Sequence, residues 1–257
     1  MTDKTPSGNV FSLEGLKASC SSCNLHDLCL PRGMNDADVA ELERIVARAR
    51  PHPRGKTLFH IDEPFRALYV PRSGALKTFT LGVDGSEQII GFHLPGEILG
   101  LDGLIEHRHQ VTAQTLELSA VCEVPFDLLE HAAGRVPALQ HQLMRLMSQE
   151  IADKEHQLLA LGDHQPERRL ALLLLDLSRR FACRGFSATE FNLPMSRQDI
   201  AAYLRLAAET VSRAFGKLQR DGLLQVSGRL VNICDLDALA RFAGHGNGDS
   251  DQRRILS

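Results

Sequence analysis

The chain has 257 residues, 43% of them hydrophobic, with 29 Lys+Arg against 32 Asp+Glu, enough material for one large domain or two ordinary ones around a real core. That apolar content at a net charge of −3 excludes a disordered chain, and the longest unbroken apolar run, residues 170–175, is far short of the roughly 20 residues that span a bilayer. No apolar run follows Met1 that could serve as a leader, so a cytoplasmic location is expected, where six cysteines are thiols, metal ligands or redox groups before they are disulfides.

Residues 1–34 have little periodicity and hold Cys20, Cys23 and Cys29 in a polar C-x2-C-x5-C loop. Three cysteines within ten residues, with no strand or helix face to bury them, suggest thiolates converging on a metal. Four ligands are the usual complement of an iron–sulfur cluster or a structural zinc. Cys122, on a predicted strand, is the best fourth ligand. His26 is an alternative, although a solvated loop histidine is the plainer reading. Cys183 and Cys234 are expected to be small buried residues of the last domain, and His107 and His109 to be loop residues. Zinc would only staple the N-terminus, whereas a thinly covered cluster open to oxygen would act as a switch.

Residues 35–136 are expected to form a sensor domain. A helix is predicted over 35–50, where Val39, Leu42, Ile45 and Val46 recur at helical spacing. Short apolar runs at 57–59, 68–70, 75–79, 88–92 and 120–124, divided by glycines, then predict an antiparallel sandwich or roll. Over 137–163 a long helix carries two interleaved heptad series, Met144, Ile151 and Leu158 with Met147, Lys154 and Leu161. Such a seam pairs a helix with a copy of itself; the alternative is a helix lying on its own β domain. Lys154 would meet its symmetry mate across that seam, or its long stem would carry the charge out to solvent.

Net charge is unevenly divided, at −7 over residues 1–165, +5 over 166–230 and −1 over 231–257. The basic stretch is the footprint of a module facing phosphates. It lies in a last domain over 164–246, followed by a flexible tail over 247–257. Ser196 and Asp199 form a variant capping box at the start of a short helix that ends near Leu204, and a second helix runs from Ala208 to Gln219. Val211, Phe215 and Leu218 lie on one side of this second helix; Glu209, Ser212 and Arg213 lie on the other, in the part that enters a major groove. Arg213 can grip guanine O6 and N7, Glu209 can accept from cytosine N4, and Ser212 can contact a neighbouring base. Ser196, Arg197, Thr210, Lys217 and Arg220 are candidates for backbone phosphates. A hairpin turning at Ser227–Gly228 supplies a wing. A solvated face with Glu209 and Arg213 paired is the competing account, and helix pair, wing and local charge together weigh against it.

On the cysteine loop with Cys122, the segment Gly91-Phe-His-Leu-Pro-Gly-Glu-Ile-Leu-Gly and the segment Ala208-Glu-Thr-Val-Ser-Arg, the chain resembles the CRP/FNR superfamily of bacterial transcription regulators, and within it the FNR branch of oxygen sensors. The resemblance implies an α+β protein with a β-roll sensor of the cyclic-nucleotide-binding type, a long dimerisation helix and a winged helix-turn-helix. It implies a [4Fe-4S] cluster on Cys20, Cys23, Cys29 and Cys122 that stabilises a homodimer without oxygen and is converted to [2Fe-2S] by oxygen, releasing double-stranded DNA. It implies that Glu209, Ser212 and Arg213 read an inverted TTGAT-type site, and that the turn holding Gly82, Asp84, Gly85 and Glu87 touches RNA polymerase.

A cyclic-nucleotide sensor of the same fold is the alternative. Such proteins hold the phosphate with an Arg-Ser pair after a Gly-Glu turn; here Gly96 and Glu97 persist, but Val111 and Thr112 stand at the pair's positions, so no cyclic nucleotide is expected. A regulator with structural zinc or a small-molecule effector is a second alternative. A cysteine enzyme is a weak third, because no cysteine has a convincing partner set and the glycines form no phosphate cradle. Two departures from the family pattern are Arg205 in the interhelical turn, where glycine is usual, and Ala207 at the cap of the recognition helix.

Overall fold

The computed structural model describes residues 19–244; the tail expected over 247–257 lies outside them. The chain leaves the cysteine loop through α1 (Asp36–Ile45), where the Asn35 side chain accepts from the Asp38 N–H. The helix expected over 35–50 stops early, because 47–52 form β1 (Ala47–His52), antiparallel to β7. Pro51 suits this strand. It disfavours helix at the residue before it and, lacking an N–H, fits an edge strand.

Six further strands complete two antiparallel sheets: β2 (Thr57–Phe59), β3 (Ala67–Ser73), β4 (Leu76–Leu81), β5 (Glu87–His93), β6 (Thr112–Thr115) and β7 (Ser119–Pro125). Their orders are β1-β7-β3 and β2-β6-β4-β5. The five predicted runs are all strands. The unpredicted β6 is Thr-Ala-Gln-Thr, a polar segment that β2 and β4 bury from either side. Phe59, Leu76, Leu99 and Val121 fill the space between the sheets. Gly74 is obligatory where β3 turns into β4: its φ is 77°, and a Cβ there would lie 2.2 Å from Ser119 Oγ. His109 is not the simple loop residue expected. It is 2% exposed, stacks on Phe59 at 3.7 Å, and holds Nδ1 3.6 Å from an Asp102 carboxylate oxygen.

After α2 (Phe126–Ala133), α3 (Pro137–Gly162) runs 26 residues, with Pro137 at its start, where a missing N–H costs nothing. The last domain comprises α4 (Pro166–Ala182), β8 (Glu190–Asn192), α5 (Arg197–Leu204), α6 (Ala208–Arg220), β9 (Leu224–Ser227), β10 (Leu230–Ile233) and α7 (Leu236–Phe242). Its core is leucine-rich, with Leu170, Leu174 and Leu177 from α4 meeting Ile200, Val211 and Leu218. In the wing Ser227 pairs with Leu230, so the turn residues are Gly228 and Arg229, one place later than expected, and Gly228 takes φ 60°. Cys183 and Cys234 are exposed, not core residues. Each lies just past the end of an element, α4 and β10 respectively, where no inward face continues.

The two domains are docked. Phe79, Ile89 and Phe92 of the roll join the core of the last domain, and the Phe92 and Tyr203 rings are 5.0 Å apart. Polar contacts surround this apolar patch. Lys77, 8% exposed, reaches Asp199 at 3.1 Å and also Glu87. Glu97 receives Arg180 and Arg184, each at 2.6 Å.

Candidate functional site

The cysteine loop is held at both ends. At its start the Ser19 hydroxyl and the Ser21 N–H both donate to the Glu43 carboxylate on α1, the latter at 2.8 Å. At its end Leu30 and Pro31 are buried, and Leu25 and Leu28 pack beside Gly96. Between these anchors Cys20, Cys23 and Cys29 line one pocket together with Cys122, brought from β7 about a hundred residues away along the chain. Leu25, Leu30, Leu42, Val70 and Val124 make its apolar wall, Arg72 adds a cation, and His26 also lines it.

The surroundings favour the neutral thiol at Cys20, Cys29 and Cys122. Burial pushes Cys29 up to about 12. Burial, reinforced by Cys122, Glu43 and Cys23, pushes Cys20 up to about 11, and burial with Cys23 raises Cys122. Arg72 opposes the shift at Cys20 and Cys122. Four mutually repelling thiolates in a largely apolar wall suit a cation-bearing group, whose binding would displace their protons. Among the described residues, no three His, Cys, Asp or Glu side chains form a set that could hold a single metal ion.

Pro137 to Leu146, the first part of α3, presents one face to the core behind the cysteine loop: Leu139 and Gln142 are buried, and Leu143 and Leu146 pack against the same core as Cys29 and Cys122. Its outer face is bare. Met144, Met147, Ile151 and Leu158 are 59%, 42%, 61% and 68% exposed, the stripe the heptads predict, and Leu159, outside the predicted series, is 76% exposed. Lys154 departs from it. Its ammonium donates to the Ile90 carbonyl on β5 at 3.1 Å and pairs with Glu150 at 3.4 Å, so it turns toward its own sheet, where a strand carbonyl offers a bond that a seam would not. Leu161 is half-buried.

In the last domain Ser196 and Asp199 close the capping box reciprocally. Arg205 caps α5 in the left-handed region, φ 55°, where glycine would sit without strain, and Ala207 gives α6 no side-chain cap. The apolar face of α6, Val211, Ala214, Phe215 and Leu218, is buried; Glu209, Ser212 and Arg213 are exposed together. The expected alternative pairing of Arg213 with Glu209 is replaced by a bond from Arg213 to Thr210 Oγ1 at 3.1 Å. Lys217 pairs with Asp221 at 3.5 Å, and Arg220 is exposed. Arg197 lies flat over the Phe215 ring, 3.4 Å from its centroid, so its guanidinium braces the two helices. Between β4 and β5, Gly82, Asp84, Gly85 and Glu87 are exposed; Asp84 accepts from Ser86 N and Oγ, and Glu87 pairs with Lys77.

Comparison with known proteins matches this arrangement. Residues 168–242 fit the Crp-like helix-turn-helix domain, and residues 49–134 the cyclic nucleotide-binding domain. The chain is 46% identical over 228 residues to the transcriptional activator protein FnrA of Stutzerimonas stutzeri, covering 89% of this chain and 93% of that one. It is 43% identical over 231 residues to the fumarate and nitrate reduction regulatory protein of Escherichia coli K12, covering 90% and 92%. The chain belongs to the CRP/FNR family. FixK2 from Bradyrhizobium japonicum superposes with a TM-score of 0.69 at 33% identity, over 76% of this chain and 96% of that structure. As a CRP/FNR protein the chain is a DNA-binding transcription regulator, not an enzyme.

Some residues of the candidate site carry little sequence signal. Glu43 lies in a segment read only for helix, and Arg72 lies just past the apolar run at 68–70. Gln142 carries one that could have been used: it stands among Leu139, Leu143 and Leu146 on the apolar stripe opposite the seam, where a polar side chain needs a buried partner.

Proposed function

We propose that this regulator responds to oxygen through a [4Fe-4S] cluster on Cys20, Cys23, Cys29 and Cys122, and binds an inverted-repeat DNA site as a homodimer when that cluster is present. The observation that carries the reading is the meeting of three loop thiols with Cys122 in one pocket, walled by apolar side chains and Arg72. When bound, the cluster supplies four thiolate-to-iron bonds and a chemistry labile to oxygen. The protein's residues do the rest. Arg72 offsets the anionic charge, and Leu25, Leu30, Leu42 and Val124 limit water at the thiolates. Glu43 fixes the start of the loop.

Exposed Met144, Met147, Ile151, Leu158 and Leu159 are the surface a second copy would cover. The nucleotide alternative loses support at Val111: Asp102 accepts from the Gln110 and Val111 N–H groups at 2.7 and 3.3 Å, so a phosphate entering there meets a carboxylate. RNA polymerase remains assigned to the turn at Gly82, Asp84, Gly85 and Glu87.

Protein purified without oxygen is expected to be coloured, to contain iron and sulfide, and to lose its visible absorption in air as the dimer dissociates. A colourless protein with stoichiometric zinc overturns the proposal. For Arg213→Ala we expect a loss of about 1 to 3 kcal/mol confined to sites with the guanine it reads, measured by titration against matched and guanine-substituted half-sites. Equal weakening on every sequence would make Arg213 a phosphate contact.

A further inference from the structure

We infer that Gln142 is the positioning residue that carries the state of the cysteine loop to the dimerisation helix. This rests on the cluster reading above and deepens it. The Gln142 side chain is 4% exposed, and its Nε2 donates to the Cys29 carbonyl at 2.9 Å across 113 residues of sequence. Cys29 O is also where the loop makes its own turn, accepting from Arg32 N at 3.3 Å. One carbonyl therefore ties together the thiol-bearing residue, the end of the loop and α3.

The helix transmits because its two faces have different partners. Leu139, Gln142, Leu143 and Leu146 face the loop and the core beneath it; Met144, Met147 and Ile151 face outward. A rigid helix cannot move one face without the other. The apolar contacts can slide, since dispersion has no direction, but the amide–carbonyl bond has a preferred length and angle. A shift of the Cys29 backbone, as its thiolate gains or loses an iron, is thus felt by α3 at Gln142.

The full-length protein with Gln142→Met and with Gln142→Leu, each of which fills the site and removes the donor, tests this. Iron and sulfide content and the anaerobic spectrum report loading. Sedimentation of cluster-loaded and cluster-free protein gives two dimer dissociation constants, whose ratio is the coupling. Wild type is expected to show a large ratio. Both variants are expected to load normally and keep wild-type circular dichroism, while the ratio falls by about 2- to 10-fold, the worth of one hydrogen bond. Variants that keep the full ratio overturn the role of Gln142, as do variants that fail to load, which would make it a support for the pocket. Wild type without iron, or with iron and no change in dimerisation, instead sinks the cluster reading itself.

Discussion

Changing Cys122 to Ser is expected to abolish the anaerobic colour, while Cys183→Ser and Cys234→Ser leave it intact. Cys122 lies on β7 opposite Val70, with its side chain in the pocket shared by the loop cysteines; Cys183 and Cys234 are exposed on the other domain. A serine hydroxyl does not ionise near neutral pH and is a poor partner for iron, so the loss should be nearly complete. Dimerisation and DNA binding should then match those of air-treated wild type. The same spectrum on Cys29→Ser checks the loop, because Cys29 is the thiol pushed highest by burial, to about 12, and depends most on a cation to become a ligand. A coloured Cys122→Ser protein would mean that another group, His26 of the same pocket being the nearest candidate, completes the set.

Replacement of Glu97 by alanine is expected to cost about 3 kcal/mol and to separate the two domains. Its carboxylate receives Arg180 Nη2 and Arg184 Nη2, each at 2.6 Å, and accepts from the Leu94 N–H at 2.9 Å. Arg180 and Arg184 are 15% and 5% exposed, so removing Glu97 leaves Arg184 without its carboxylate and Arg180 with Asp176 alone, at 3.1 Å. Breaking such a buried pair typically costs 3 to 5 kcal/mol; the lower figure applies because the Glu97 side chain keeps 27% exposure. Calorimetry should show one transition in wild type dividing into two in the variant. An unchanged single transition would mean that the apolar patch around Phe92 and Tyr203 holds the domains alone.

The pH dependence follows from the same cluster. Desolvation opposes ionisation of Glu97, but Arg180 and Arg184 outweigh it and bring the carboxyl to about 2. A depressed carboxyl stabilises the fold above its ordinary range near 4.5 and loses that contribution as pH falls toward 2, so the Glu97→Ala deficit should shrink over this window. His93 adds an earlier loss. Burial, then the Lys154 charge, hold it near 3 against an ordinary 6.5. The unfolded chain takes up this proton first, and stability should begin to decline below about 6.5 in wild type and variant alike.

Much of the fold and of both candidate sites was legible because the signals are local. The spacing of Cys20, Cys23 and Cys29, the glycine-divided runs and the split of α6 between Val211, Phe215 and Leu218 on one side and Glu209, Ser212 and Arg213 on the other all rest on periods of a few residues. β1 was missed because helical spacing runs on through Val46 and only Pro51 interrupts it. β6 was missed because strands buried by neighbours on both sides need no apolar alternation.

Sequence by itself thus determined which residue types stand at helical, strand and ligand spacing, and hence the order of roll, long helix and winged helix-turn-helix. Tertiary structure alone decided which of them meet. Gln142 finds Cys29 across 113 residues and Glu97 finds Arg180 across 83. Lys154 turns to the Ile90 carbonyl and away from the seam, and Cys183 and Cys234 lie on the surface. The physical reason is that a hydrogen bond or ion pair acts over about 3 Å, and the packing of whole elements, set by the summed burial of leucines in three clusters, fixes which distant groups come that close.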